Sequence, residues 1–398
     1  MNTIKQAAIF FMMLLIFAMP TDGATEIAGM SLVKIAGLMA FGLTGLLLVM
    51  GNNIYVSPSF HSGVLLFVVW AIMSYTWSEM PVPYESAETG GAQQIIKAYI
   101  YILMLTLLVF QLTINTEDLS KLYIAFLLGA YWLIYIMVKD YEVTATTVRH
   151  EIKNFDANEV CVKLAMVMPL AIYLFMHPRY WLWRLLSIIY IPAAMYTILI
   201  TGSRTGSIVM SLGLMGFAPI LMRSSWMVKL MSLCLVVVSL VTMVQFIPQK
   251  TIERIFTTGK EISSGTLNER SVIWSKAYEE WAEKPLQGHG LSAFRRIMNP
   301  HNLNYSAHNS VVTVTVEQGI IGTCLYLSVI VITAFSAVRL KGDLKLLMII
   351  MLLITVIGQM SLSLVDRMYV WFSYSLVVLT CFITQRTSTT SDMEVESS

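Results

Sequence analysis

Long apolar runs alternate with short polar stretches along this chain. Runs long enough to cross a bilayer fall at about 6–20, 31–50, 62–77, 95–113, 120–138, 159–176, 184–200, 206–222, 227–247, 309–337, 343–363 and 366–384. They predict an all-α polytopic membrane protein of about twelve transmembrane helices. One stretch is unlike the rest: residues 248–308 are polar and lie between the ninth and tenth runs. Within it Ile273, Trp274, Ala277 and Trp281 recur at helical spacing, with Glu279, Glu280 and Glu283 on other faces. Pro285 stops that helix and Gly288-His289-Gly290 marks a turn. Such an amphipathic helix suits the outer membrane interface, the plainer alternative being a helix packed on the membrane domain. The chain thus divides into nine helices over 1–247, a large outer loop over 248–308, three helices over 309–384, and a Ser/Thr/Glu-rich tail, 385–398, whose composition predicts disorder.

Composition agrees with the membrane reading. Of 398 residues 57% are hydrophobic and 13% charged, about half the charged share of a soluble protein. A net charge of +2 offers nothing to nucleic acid. Cys161, Cys234, Cys324 and Cys381 all fall in apolar runs, without metal-ligand spacing, and the 27 methionines are scattered through the spans as flexible apolar filler. The apolar run behind Lys5 reads as an uncleaved first span rather than a signal peptide. With the N-terminus inside, the inner loops carry Lys5, Lys121, Arg179, Arg184, Arg223, Lys229, Arg339, Lys341, Lys345 and Arg386, whereas Glu79, Glu85 and Glu88 lie outside. Both termini are therefore expected inside and the 248–308 loop outside.

Three outer features can carry chemistry. Arg204 sits in Thr201-Gly202-Ser203-Arg204-Thr205-Gly206, a tight turn between the seventh and eighth spans. A boundary arginine ordinarily snorkels to lipid phosphates, but a compact turn restrains this one. Arg270 opens the amphipathic helix, where a solvated surface charge is the plain alternative. His308 ends the loop beside Asn309, at the start of the tenth span, where both would project from the first helical turn. Taken singly, a histidine is more often structural than catalytic. Together, two arginines and a histidine on one membrane face suit an anionic ligand and a proton acceptor. Arginine grips phosphate oxygens in bidentate fashion, and an imidazole can take a proton from a hydroxyl. Lys97, at the outer start of the fourth span, and Arg149, with His150 and Lys153, offer further positive charge. Snorkelling and loop solvation account for them equally well. Asp366 and Arg367 would pair with each other. His301 and His308 lack a companion Cys or carboxylate at ligand spacing, so neither a metal nor another cofactor is expected.

These residues resemble a known family. His308-Asn309, nine residues, then Gly319-x-x-Gly322-Thr323 resembles the outer-loop signature of the O-antigen ligase and O-antigen polymerase superfamily of bacterial envelopes. Thr201-Gly202-Ser203-Arg204-Thr205-Gly206 is similar to its second signature. Arg270-Ser271-Val272-Ile273-Trp274 followed by Pro285-Leu286-Gln287-Gly288-His289-Gly290 is similar to its third. Asp156-Ala157-Asn158 resembles an Asp-Pro-Asn-like element and departs at its centre. The likeness spans roughly residues 150–325. It implies a GT-C-like glycosyltransferase of the bacterial inner membrane, acting on the periplasmic side without a metal and with inversion. The expected donor is an undecaprenyl-diphosphate-linked glycan. The acceptor is a sugar hydroxyl of lipid A–core for a ligase, the favoured reading, or a lipid-linked repeat unit for a polymerase. The resemblance assigns the diphosphate to Arg204 and Arg270 and the base to His308; Asn309, beside the base, and Lys97 and Arg149, by their charge, are further candidate substrate contacts. No motif surrounds Lys97 or Arg149.

A lipid-linked glycan flippase or transporter is the competing class, and about twelve spans would suit it. The single large late loop, the lack of evident internal halves and the scarcity of charge at helix centres speak against it.

Overall fold

A computed structural model describes the chain except residues 1, 28, 79–91, 145–149, 152–154, 178–180, 224, 228, 231–269, 302, 304–305 and 397–398. Its helices are α1 (Asn2–Ala18), α2 (Leu32–Val49), α3 (Pro58–Met73), α4 (Ala92–Leu112), α5 (Thr116–Thr144), α6 (Ala157–Met176), α7 (Trp181–Ile200), α8 (Arg204–Met215), α9 (Ala218–Arg223), α10 (Arg270–Glu283), α11 (Phe294–Met298), α12 (Ser310–Arg339), α13 (Gly342–Ser361) and α14 (Met368–Glu396). Among the described residues, 11 helical segments are long and apolar enough to cross a membrane. The predicted span at 227–247 lies almost wholly outside the described residues. The strands described are β1 (Glu26–Ile27) and β2 (Met30–Ser31), a two-residue antiparallel pair in the turn between α1 and α2.

α6 is the most enclosed segment, with 83% of its span buried. α5, α7, α8 and α13 pack around it. Small residues let them come close: Gly206 and Gly213 of α8 face Cys161 and Met168, and Gly358 of α13 faces Val162. Charged and polar side chains gather at the two ends of the bundle. One end holds the inner set, where Arg223 makes a bidentate ion pair with Asp343 at 2.6 and 2.9 Å, and Lys121 pairs with Asp118 at 3.0 Å. The other end holds the starts of α6, α8 and α12, the 362–367 turn and the 270–301 segment.

α12 departs from the single continuous span predicted at 309–337. Gly319 has φ 66° and ψ −167°, so the helix is two helices, 310–318 and 320–339. They fold sharply on each other, since Thr315 and Thr323 bring their hydroxyls within 3.0 Å. The 320–339 half alone reaches about 30 Å at the usual helical rise, enough for a hydrocarbon core. That leaves 310–318 as part of the polar end.

Two further elements bear on the sequence reading. α10 follows the plainer of its two readings, a helix packed on protein. Ile273 and Ala277 are buried against Ala293, Phe294, Ile297, Val312 and Val316, with Trp274 and Trp281 packed beside them. The apolar stripe finds a protein partner, the 310–318 half of α12, so it needs no lipid. The tail is also more ordered than its composition predicts, because α14 continues to Glu396. No Gly or Pro follows Arg386 to stop it.

Candidate active site

The site is built on three helix starts. At α6, Asp156 caps the helix by accepting the Asn158 N–H at 2.7 Å and the Glu159 N–H at 3.3 Å. At α8, Ser203 accepts the Gly206 N–H at 2.9 Å and donates its hydroxyl to Asn158 Oδ1 at 2.5 Å. This locks the two helix starts together. Gly202 takes φ 61°, closing the turn, and Thr201 stacks its hydroxyl 3.2 Å from the Cys161 thiol. Arg204 is therefore the first residue of a helix held at both its cap and its packing face, and it is half-buried.

At α12, Asn309 is the cap. Its Oδ1 accepts the Val311 N–H at 2.9 Å and the Val312 N–H at 3.3 Å. That oxygen is occupied, so a substrate contact from Asn309 falls to its Nδ2. His308 stands one residue before the cap rather than in the first turn, with φ 46°, and is half-buried. A left-handed backbone at a non-glycine residue is uncommon and concentrates at functional positions. Ser310 ties the helix start to the 362–367 turn, donating to Leu362 O at 3.0 Å and accepting the Leu364 N–H at 2.9 Å. The same turn carries Arg367, half-exposed, at 4.0 Å from Glu159 and 3.9 Å from Asp366. The Glu159 carboxylate, and then Asp366, hold the Arg367 guanidinium above its ordinary value, so its charge is secure.

Contacts therefore run without a gap from His308 through Ser310, the 362–367 turn, Glu159 and Asn158 to Ser203 and Arg204. Arg270 joins from the other flank. It begins α10, and Trp274, one turn on, donates its indole N–H to Ala307 O at 2.9 Å, immediately before His308. All three candidate residues of the motifs stand at one end of the bundle. Lys97 is exposed one turn into α4, without a hydrogen bond or ion pair to the described residues. Arg149 lies outside the described residues. Its neighbour His150 is buried and pairs with Asp140 at 3.6 Å.

The Pro-Leu-x-Gly-x-Gly turn has a specific job. The break at Gly319 frees backbone groups that a continuous helix would satisfy, and each needs a partner. The turn supplies them. Val316 O accepts the His289 N–H at 3.0 Å and Glu317 O the Gly290 N–H at 2.7 Å. Ile320 N–H reaches Pro285 O at 2.9 Å and Ile321 N–H reaches Leu286 O at 3.4 Å. Gln318 O takes the Trp70 indole N–H at 3.0 Å. The Gly319 and Leu286 backbones approach so closely that a Cβ on Gly319 would overlap Leu286 O. The close neighbour at Gly319 is therefore this loop. On the other side of the turn, Ser78 donates to Leu291 O at 2.9 Å.

Several residues of this end are not singled out by the sequence motifs. Lys163 and Glu159, a buried pair at 2.9 Å, carry an i,i+4 spacing that is visible in the sixth span. Glu317, 8% exposed, accepts the Phe294 N–H at 3.3 Å and fastens α11 to α12. His301 pairs with Glu280 at 2.6 Å across 21 residues of sequence. No grouping of three or more His, Cys, Asp or Glu among the described residues is arranged to hold a metal ion.

Comparison with known proteins bears on the same stretch. Residues 189–327 match the family model described as O-Antigen ligase. That stretch, about a third of the chain, is similar to the O-antigen ligase and polymerase superfamily. No curated protein matches it. The O-antigen ligase match begins within α7 and ends just beyond the Gly319 break. It takes in Arg204, Arg270, His308, Asn309 and the loop that mends the break, and leaves out Lys97 and Arg149. An enzyme of O-antigen ligase or polymerase type with many membrane-spanning helices is thus in hand.

Proposed function

We propose that the protein transfers a glycan from undecaprenyl diphosphate to a sugar hydroxyl of lipid A–core, at the periplasmic face of the bacterial inner membrane. The observation that supports this reading is that Arg204, Arg270 and His308 each lie at or just before a helix start on the same polar end of the bundle. The acceptor oxygen attacks the anomeric carbon of the donor sugar from the face opposite the diphosphate. His308 takes the proton of that hydroxyl. The bond from the anomeric carbon to the diphosphate oxygen breaks with its electron pair, and the configuration inverts. Arg204 and Arg270 stabilise the departing charge, so no general acid and no metal is called on. Asn309 fixes the helix start that presents His308, and its Nδ2 can donate to donor or acceptor. Lys97, exposed near the start of α4, is a further candidate for the diphosphate, with snorkelling to lipid phosphates the equal alternative.

The decisive experiment mixes purified protein with the lipid-linked glycan and offers either lipid A–core or more of the lipid-linked repeat. Glycan on lipid A–core supports the ligase. Longer lipid-linked chains without core transfer replace it with a polymerase. No product with either acceptor returns the protein to the flippase or transporter class.

A further inference from the structure

The end of the bundle opposite the candidate active site contains a cleft of about 210 Å³ that the transfer reaction does not use. Lys5, Thr44, Leu47, Leu48, Asn52, Asn53, Tyr55, Gln111, Leu112 and Ile114 surround it. Its polar side chains are one ammonium, three carboxamides and the hydroxyls of Thr44 and Tyr55, so Lys5 is its one charge and no carboxylate stands on the wall. Gln111 is committed to the frame. It accepts the Tyr55 N–H at 3.2 Å and donates to Tyr55 O at 2.6 Å, which holds the 52–55 turn over the cleft. Lys5 is half-buried, and Arg386 lays its guanidinium 5.0 Å from the centre of the Tyr55 ring at the rim. Beside the cleft, Val49, Met50 and Ile54 are 86%, 47% and 68% exposed. Apolar side chains bared next to a polar hollow that carries a lysine and no carboxylate mark the depth where acyl chains give way to head groups.

We propose that this cleft binds the phosphate of an anionic glycerophospholipid, with Lys5 as the charged contact, Asn52 and Asn53 as amide donors, and the apolar wall of Leu47, Leu48 and Leu112 against the glycerol and upper acyl segments. The exposed apolar rim favours a lipid over a free anion.

The full-length protein is reconstituted in nanodiscs of phosphatidylcholine alone or mixed with phosphatidylglycerol, and its thermal-unfolding midpoint is read. Phosphatidylglycerol should raise the midpoint of the natural protein and of Lys5→Arg. The rise should fall by at least half in Lys5→Gln and persist in Lys341→Gln, which removes an exposed charge from the same end outside the cleft. An undiminished rise in Lys5→Gln overturns the site, and an equal loss in Lys341→Gln reduces it to general surface attraction. Inorganic phosphate added to phosphatidylcholine discs should do nothing; a full rise there overturns the lipid assignment. Should Lys5→Gln fail to fold, Asn53→Leu, at an exposed position on the rim, is expected to lose the increment in its place.

Discussion

His308 combines a titratable ring with a left-handed backbone, and the two properties separate under mutation. Asparagine is the non-glycine residue that best tolerates this conformation. His308→Asn should therefore unfold at nearly the natural temperature while transfer falls by about 10²–10⁴-fold, the usual contribution of a general base. Retained donor binding in the variant, measured on detergent-solubilised protein, would fit a base; lost donor binding would make His308 a phosphate or sugar contact. For Arg204 and Arg270 the expected change is different. Replacing either with alanine should lower turnover by about 10²–10³, the scale of one charge-stabilising donor. Lysine should restore little of it, because an ammonium lacks the planar fork that matches phosphate oxygens. Full turnover in the double lysine variant would identify both as ordinary boundary charges.

At the scale of elements, the break in α12 is the feature most exposed to test. Gly319 combines positive φ with backbone contact to Leu286, so Gly319→Ala meets both strain and overlap. A loss of about 2–4 kcal/mol is expected, read as a lower unfolding midpoint and faster proteolysis within 285–290. Gly42→Ala is the contrast. Nothing lies within 4 Å of a Cβ added there, and the change should be nearly neutral. The helices themselves were legible in the sequence because a span must be long and apolar and nothing else in the chain is. The motif arginines and histidine were legible by residue type and order. The break was not, because Val311, Val312, Val314 and Val316 join 310–318 to the apolar run after Gly319, and a lone glycine in such a run signals packing as readily as interruption. The Glu280–His301 pair and the Glu317–Phe294 bond join residues far apart in the chain, which periodicity does not register.

At the scale of the molecule, the two polar ends define what must face opposite sides of a membrane. The end bearing α10 is expected outside and the end bearing the Arg223–Asp343 pair inside. In a protein lacking its four cysteines, single cysteines at the exposed positions Ala282 and Lys341 should label from opposite sides with an impermeant maleimide. Labelling of both from outside would invert or void the map.

The mended break also governs how this protein can be re-engineered. Segment 285–290 and the split helix exchange main-chain hydrogen bonds, a fit that depends on register more than on side chains. Acceptor preference is an obvious target for swapping the outer loop between relatives. A graft that ends at His308 would set a foreign 285–290 turn against a native split helix it was not shaped to fit. The exchangeable unit runs instead from Arg270 through Thr323, so that the loop travels with its own seat.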